Sequence, residues 1–307
     1  MHNFLFLEKK CTQLRQDIMT MLGTAGTGHS GGSLSIVELM TGVYYTQMHI
    51  DPANPKAPNR DRFVLSKGHG APCYYAILAD LGYFDKKELG NLRRLHSMLQ
   101  GHPDMNKVPG VDASTGSLGQ GISIAVGMAL GAKLQKIDSR IYVLLGDGEL
   151  QEGQVWEACM AAAHYKLDNL TILIDNNGLQ IDGTNDEVMS LGNLNAKFTA
   201  FGLNTIELPD GNNLKQVVSA LDAETVPGKP KCIIAHTVKG KGVSFIENQV
   251  GWHGKAPNKE EMELALAELN AEMAKLDAEA ARSEAKMTET GIILPKTIAE
   301  NEKGGAK

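Results

Sequence analysis

Ile141-Tyr142-Val143-Leu144-Leu145-Gly146-Asp147-Gly148 begins as a short, nearly continuous apolar run and stops on a carboxylate held between two glycines. That pattern belongs to a strand covered on both faces. A helical stretch from about Gln154 to His164 follows. A second run, Leu170-Thr171-Ile172-Leu173-Ile174, then ends at Asp175-Asn176-Asn177. Strand, helix, strand is the unit of a parallel sheet, so the expected fold is α/β, a mostly parallel central sheet with helices on both faces.

Working outward, further strands are expected at Arg62–Ser66, Thr205–Leu208 and Lys231–His236, with a helix near Asn213–Ala223 between the last two. Helices are expected over Glu8–Leu22 and Ser35–Met48, separated by a glycine-rich break at residues 23–32. The second should stop at the prolines Pro52 and Pro55. Residues 116–134, dense in Gly, Ala and Ser, suit a buried helix packed closely on its neighbours. Near the C-terminus, Asn258 and Glu261 form an N-cap with a capping-box Glu. Met262, Leu266, Leu269, Met273, Leu276 and Ala280 then repeat at steps of four and three. Such a stripe needs a surface to lie against, in its own domain or on a partner chain. Residues 1–286 are read as one domain with this C-terminal helix, and 287–307 as a polar, disordered tail.

The chain has 307 residues, with 30 Lys+Arg against 36 Asp+Glu and a net charge of −6. Hydrophobic residues at 42 % and charged residues at 21 % exclude fibrous and wholly disordered classes. The mild acidity argues against a nucleic-acid binder, which needs a basic face. Four scattered cysteines without a C-x-x-C pair read as buried reduced thiols. No apolar run approaches a membrane span, and the N-terminal apolar run is too short for a signal peptide, so a cytoplasmic protein is expected.

In a parallel sheet, ligands collect at the carboxyl ends of the strands. Here one strand delivers Asp147 between glycines and its neighbour delivers Asn177, with 27 residues (149–175) between Gly148 and Asn176. A carboxylate, an amide oxygen and nearby main-chain carbonyls form a hard oxygen site suited to Mg²⁺ or Ca²⁺. Singly, either motif is commonly a turn; paired on one strand–helix–strand unit, they are specific. Of nine histidines, His29, His69, His102 and His253 each adjoin a glycine. Together they form a candidate rim for an anion and sugar hydroxyls. His2, His49, His96, His164 and His236 carry no such reading.

The Gly-Asp-Gly and Asn-Asn pair resembles the thiamine-diphosphate signature. The filling narrows the match to transketolase. It lies in Gly146–Gly153, Trp156-Glu157-Ala158, Ile181-Asp182-Gly183, Gly26–Ser35, Leu65–Gly70, Gly101-His102-Pro103 and Gly116–Gly121. The resemblance runs in consistent order from Gly23 to about Pro257. It implies thiamine diphosphate with Mg²⁺ or Ca²⁺, and transfer of a two-carbon ketol unit between sugar phosphates of the pentose phosphate pathway. It also implies roles for single residues. Asp147, the Asn177 side chain and the Leu179 carbonyl would bind the metal. His69, His253 and the Gly148 N–H would meet the diphosphate. Gly116, with Ser117 beside it, would meet the aminopyrimidine, while Leu118 and Ile181 would pack on the cofactor rings. His29, His102 and His253 would hold the donor sugar. His96 would lie close to the cleft. Glu152 stands either in a carboxylate network across a subunit interface or as a helix-start carboxylate favoured by the dipole.

In that family a second, pyrimidine-binding domain supplies the activating Glu, and the chain ends soon after Pro257 with no stretch that could encode it. The resemblance therefore implies the N-terminal subunit of a split transketolase, inactive alone and paired with a C-terminal subunit in a heterotetramer of two copies of each. Alternatives are the same half specialised for a sulfo-sugar or apiulose phosphate, the α subunit of a 2-oxo-acid dehydrogenase, or a non-catalytic homologue.

Overall fold

The computed structural model describes residues 2–290. In chain order its strands are β1 (Arg62–Leu65), β2 (Ile141–Gly146), β3 (Leu170–Asn176), β4 (Leu179–Gln180), β5 (Gly183–Thr184), β6 (Asn204–Leu208) and β7 (Lys231–His236). Its α-helices are α1 (Phe4–Ala25), α2 (Ser30–Leu34), α3 (Val37–Gly42), α4 (Ala71–Asp80) and α5 (Gln120–Gln135). They continue with α6 (Gly153–His164), α7 (Asn185–Met189), α8 (Leu194–Ala200), α9 (Leu214–Asp222) and α10 (Lys259–Thr290). Five strands form one sheet in the order β1-β2-β3-β7-β6, every pair parallel. β4 and β5 make a small antiparallel hairpin beside it.

Alternation along the strands divides the core in two. Phe63, Leu65, Tyr142, Leu144, Leu173 and Ile233 face one side and pack with α1, α3, α4, α9 and α10. Val64, Val143, Leu145, Ile172, Ile174 and Ile234 face the other side and pack with α5, α6 and α8. Each such side chain removed from water contributes about 1.5–3 kcal/mol. Cys11 and Cys73 lie in the first core and Cys159 and Cys232 in the second, all buried and free. No described helix is long and apolar enough to cross a membrane.

The five strands of the main sheet and the helices α1, α5, α6, α9 and α10 fall where the pattern placed them, whereas α4, α7, α8 and the β4–β5 hairpin carried no expectation. The chain around residues 30–48 departs from the pattern. Instead of one helix from Ser35, α2 starts inside the glycine-rich segment, α3 follows after a break at Ile36, and Val43–Gln47 widens into a π turn. The glycines are there for closeness. A Cβ on Gly31 would lie 3.0 Å from Lys239, and one on Gly32 would lie 3.2 Å from Lys67. Ser33 donates its hydroxyl back to the His29 carbonyl one turn earlier at 2.6 Å, which satisfies the buried hydroxyl.

At the C-terminal end, Asn258 and Glu261 exchange both capping bonds, at 2.8 and 2.9 Å. The expected stripe lies against α1 of the same domain, with Leu269 and Leu276 buried, Leu266 and Met273 half-buried and Met262 pressed against Gly23; Ala265, outside the expected stripe, is buried beside it. The helix continues to Thr290, past the boundary expected at 286, and the remainder of the expected tail lies outside the described residues.

Candidate active site

The carboxyl ends of β1, β2 and β3 and the loop after β7 open into a cleft of about 270 Å³. Asp147 caps β2 at its floor with 2 % exposure. Its Oδ1 accepts the Gly148 N–H at 2.8 Å and its Oδ2 the Gly178 N–H at 2.5 Å. Among the described residues no side-chain cation bonds to this carboxylate. Burial, with the Asp175 charge nearby, raises its pKa to about 6. The Gly178 bond brings Asp147 against the turn that holds the other expected oxygen donors. Asn177 Oδ1 accepts the Leu179 N–H at 3.1 Å.

Asp175, at the end of β3, organises that turn. It is fully buried and accepts from Lys67 Nζ at 2.6 Å, Ser35 Oγ at 2.8 Å, Asn177 Nδ2 at 2.9 Å and the Thr237 hydroxyl. Burial alone would raise its pKa, but Lys67 and the hydroxyl donors hold it below the usual carboxylate value. The bond to Nδ2 fixes which way the Asn177 amide is turned, with Oδ1 on the Leu179 N–H. A carboxylate, an amide oxygen and a carbonyl fit a hard cation. Among the described residues no three His, Cys, Asp or Glu side chains stand together for a metal. A cation here would therefore complete its shell with ligand oxygens and water, as Mg²⁺ does.

The histidines form the wall. Ring centroids lie 5.4 Å apart for His29 and His69, 5.8 Å for His29 and His253, and 5.2 Å for His69 and His253. All are held neutral. Burial first, then the charges of Arg93, Lys67 and Lys239, lowers His29 to about 4. Burial and Lys239 take His253 to about 3, and burial with Lys67 holds His69 well below its ordinary value. His29 Nδ1 is buried without a partner. A neutral imidazole offers one donor and one acceptor, which suits hydroxyls. His102 lies against Gly116, where a Cβ would come within 2.8 Å of its ring.

Of the residues expected from sequence, His29, His69, His102, Gly116, Leu118, Asp147, Gly148, Asn177, Leu179, Ile181 and His253 all line the cleft. Two do not. Ser117 sits exposed on the crest of a turn closed by the Gln120 N–H on its carbonyl, between the positive-φ glycines 116 and 119. Glu152 is exposed at the start of α6 and makes no capping bond from its side chain. His96 lies exposed outside the lining. Ile181 reaches the cleft edge with 68 % exposure. The Gly148 N–H, expected to face an anion, donates to Asp147, and the Leu179 carbonyl accepts from Lys239 at 3.0 Å. Residues without an assigned role in the sequence also line the site: Lys67, Lys239, Glu149 and Gln180. Lys67 and Glu149 stand inside quoted motifs. Their burial, which gives them their importance, leaves no mark in the sequence.

Residues 8–281 match the family model described as transketolase, thiamine diphosphate binding domain. The chain belongs to the transketolase family. Relatives named as transketolase subunits match along nearly their whole length. The apulose-4-phosphate transketolase subunit of Actinobacillus succinogenes is 44 % identical over 267 residues, 87 % of this chain and 96 % of that one. The 6-deoxy-6-sulfo-D-fructose transketolase subunit of a Clostridium species is 45 % identical, covering 87 % and 97 %. A crystal structure of Pichia stipitis transketolase superposes with a TM-score of 0.79 at 29 % identity, covering 94 % of this chain and 46 % of that one. The chain thus spans about half the length of the solved transketolases it matches. These likenesses place the cleft in the half of transketolase that binds thiamine diphosphate.

Proposed function

We propose that the chain is the diphosphate-binding subunit of a two-chain transketolase, moving a two-carbon ketol unit from a ketose phosphate to an aldose phosphate. The observation that carries this reading is the cleft floor. A buried carboxylate, bonded to no side-chain cation among the described residues, stands against a turn that carries an amide oxygen and a main-chain carbonyl, beneath a wall of neutral imidazoles. When bound, thiamine diphosphate supplies the nucleophilic carbon and the electron sink. The chain's own groups bind and orient. Asp147, the Asn177 amide and the Leu179 carbonyl would hold Mg²⁺. His69 and His253 would meet the diphosphate, with Gly116, Leu118 and Ile181 against the rings. His29, His102 and His253 would take the sugar hydroxyls, each as donor and acceptor.

A separate C-terminal subunit would carry the pyrimidine-binding domain, in an assembly of two copies of each chain. The relatives named as subunits are covered almost completely by this chain, whereas full-length transketolases are covered by less than half. Exposed Ile124 and Leu134 on α5 and Met160 on α6 offer apolar surface for such a chain, and the exposed Glu152 stands at the start of α6. Free buried cysteines are consistent with a cytoplasmic site of action.

The donor reading favoured is a modified ketose. Relatives named for apulose-4-phosphate and sulfofructose reach 41–45 % identity, against 37–38 % for vertebrate transketolases. The test is co-expression with the candidate partner chain, followed by assay on a panel of modified and standard ketose donors with thiamine diphosphate and Mg²⁺. Ketol transfer should need both chains and be fastest with a modified ketose. Full activity of this chain alone would sink the two-chain reading.

A further inference from the structure

We propose that Arg93 is a positioning residue for the histidines assigned to the donor sugar, its guanidinium wedged between the glycines that precede His29 and His102. The inference rests on the sugar-hydroxyl reading above and extends it to a residue that reading does not use.

Arg93 stands in a loop pinned by the buried side chains of Leu92 and Leu99. Its N–H donates to the Leu99 carbonyl at 2.8 Å, which closes the loop. Its φ of 59° lies in the left-handed region, which costs a residue with a Cβ about 1–2 kcal/mol. Such strain persists only where the surroundings over-determine it. The residue is half-buried, and its side chain runs onto two glycines. A Cβ on Gly101 would lie 2.6 Å from the Arg93 Cζ, so only glycine admits the guanidinium there. A Cβ on Gly28 would lie 3.9 Å from the Arg93 Nε, with Leu22 closing the other side of that glycine. The planar group thus spans the two segments that lead into His29 and His102.

Among the described residues the guanidinium makes no hydrogen bond and no ion pair, so packing places it and no carboxylate offsets its charge. A cation set between two imidazoles opposes a second positive charge on either. After burial, the Arg93 charge is the largest cause holding both His29 and His102 below their ordinary values. His29 also faces His102, Lys67 and Lys239, and the rings of His69 and His253 at 5.4 and 5.8 Å. On His102, Arg93 acts as the one neighbouring charge. A neutral imidazole keeps an acceptor nitrogen, whereas a charged one only donates. Arg93 therefore aligns the two segments and preserves the acceptor that a sugar hydroxyl needs.

The experiment is an NMR titration of the histidine rings in the full chain, with His29→Gln and His102→Gln used to assign the two signals. Arg93→Gln, which removes the charge and keeps a polar side chain, should raise both midpoints by about half a pH unit or more. Arg93→Lys, which restores the charge, should bring them back toward the unsubstituted chain, a rescue that a merely structural role would not give. In the two-chain enzyme, Arg93→Gln should raise the donor KM about fivefold with kcat little changed, the worth of one hydrogen bond. Unmoved midpoints in folded Arg93→Gln, or an unchanged donor KM, would overturn the role of Arg93. If His29→Gln and His102→Gln themselves leave the donor KM unchanged, the sugar-hydroxyl reading fails, and this proposal with it.

Discussion

Glu149 is buried at 2 % exposure. Its Oε1 accepts the Ser66 hydroxyl and the Gly119 N–H at 2.9 Å, and its Oε2 the Gly146 N–H at 3.1 Å. One carboxylate thus ties the end of β1, the turn before α5 and the end of β2, the three segments that bring Lys67, Leu118 and Asp147 to the cleft. Glu149→Ala would strand three buried donors, each costing about 1–3 kcal/mol. The expected loss is at least about 3 kcal/mol in urea unfolding. A loss under about 1 kcal/mol would show that the loops hold without it. Asp147 and Asn177 were legible in the sequence because each punctuates a strand. Glu149 was not, because nothing in a Gly-Glu pair tells a solvated carboxylate from a buried one. Ser117 stays outside the lining because it sits exposed in a turn shaped by the positive-φ glycines 116 and 119, backbone angles that the residue types alone do not give.

The pairing of α10 with α1 shows what periodicity can and cannot supply. Steps of four and three fixed the buried face, and the capping pair fixed the start. The stripe leaves the covering surface open between domain and partner, because it does not name what it lies on. Here the cover is α1, with the Lys9–Asp277 ion pair at 2.6 Å and the Gln16–Asn270 bond at 2.8 Å flanking the seam. Leu269→Ala should therefore cost about 2–5 kcal/mol in chemical denaturation, the range for an emptied core leucine. Pyrophosphate affinity should not change, since the seam lies outside the cleft lining. A cost near zero would mean that α10 stands off the domain. α2 marks the opposite limit. Glycines in a row read as a breaker, and only the neighbours Lys67 and Lys239 explain why a helix there needs bare backbone.

At the scale of the molecule, the neutral wall sets a response to acid. His29 and His253 have folded pKa values near 4 and 3, and His69 is held well below its ordinary value, whereas an unfolded histidine titrates near 6.5. As pH falls from about 6.5 toward 4, the unfolded chain takes up protons that the folded chain refuses, so stability drops across that window. Above it the histidines contribute no pH dependence. Asp147, raised to about 6, works in the opposite direction, but as one group against the wall. Melting temperature followed across the window should fall on acidification, and Mg²⁺-pyrophosphate should flatten the curve by favouring charged imidazoles. An acid-independent melting temperature would contradict a buried neutral wall.

Trp252 is buried beside His253, under the Lys255 ammonium at 4.0 Å and against Phe245 at 5.5 Å. The second tryptophan of the chain, Trp156, lies between Phe198 and Phe201 on the far side of the sheet. An indole next to the group proposed to meet the anion, with the other one remote from it, gives the chain its own optical gauge. Emission from one ring should track filling of the cleft while the other serves as an internal reference, so occupancy can be read without a label and before any partner chain is in hand.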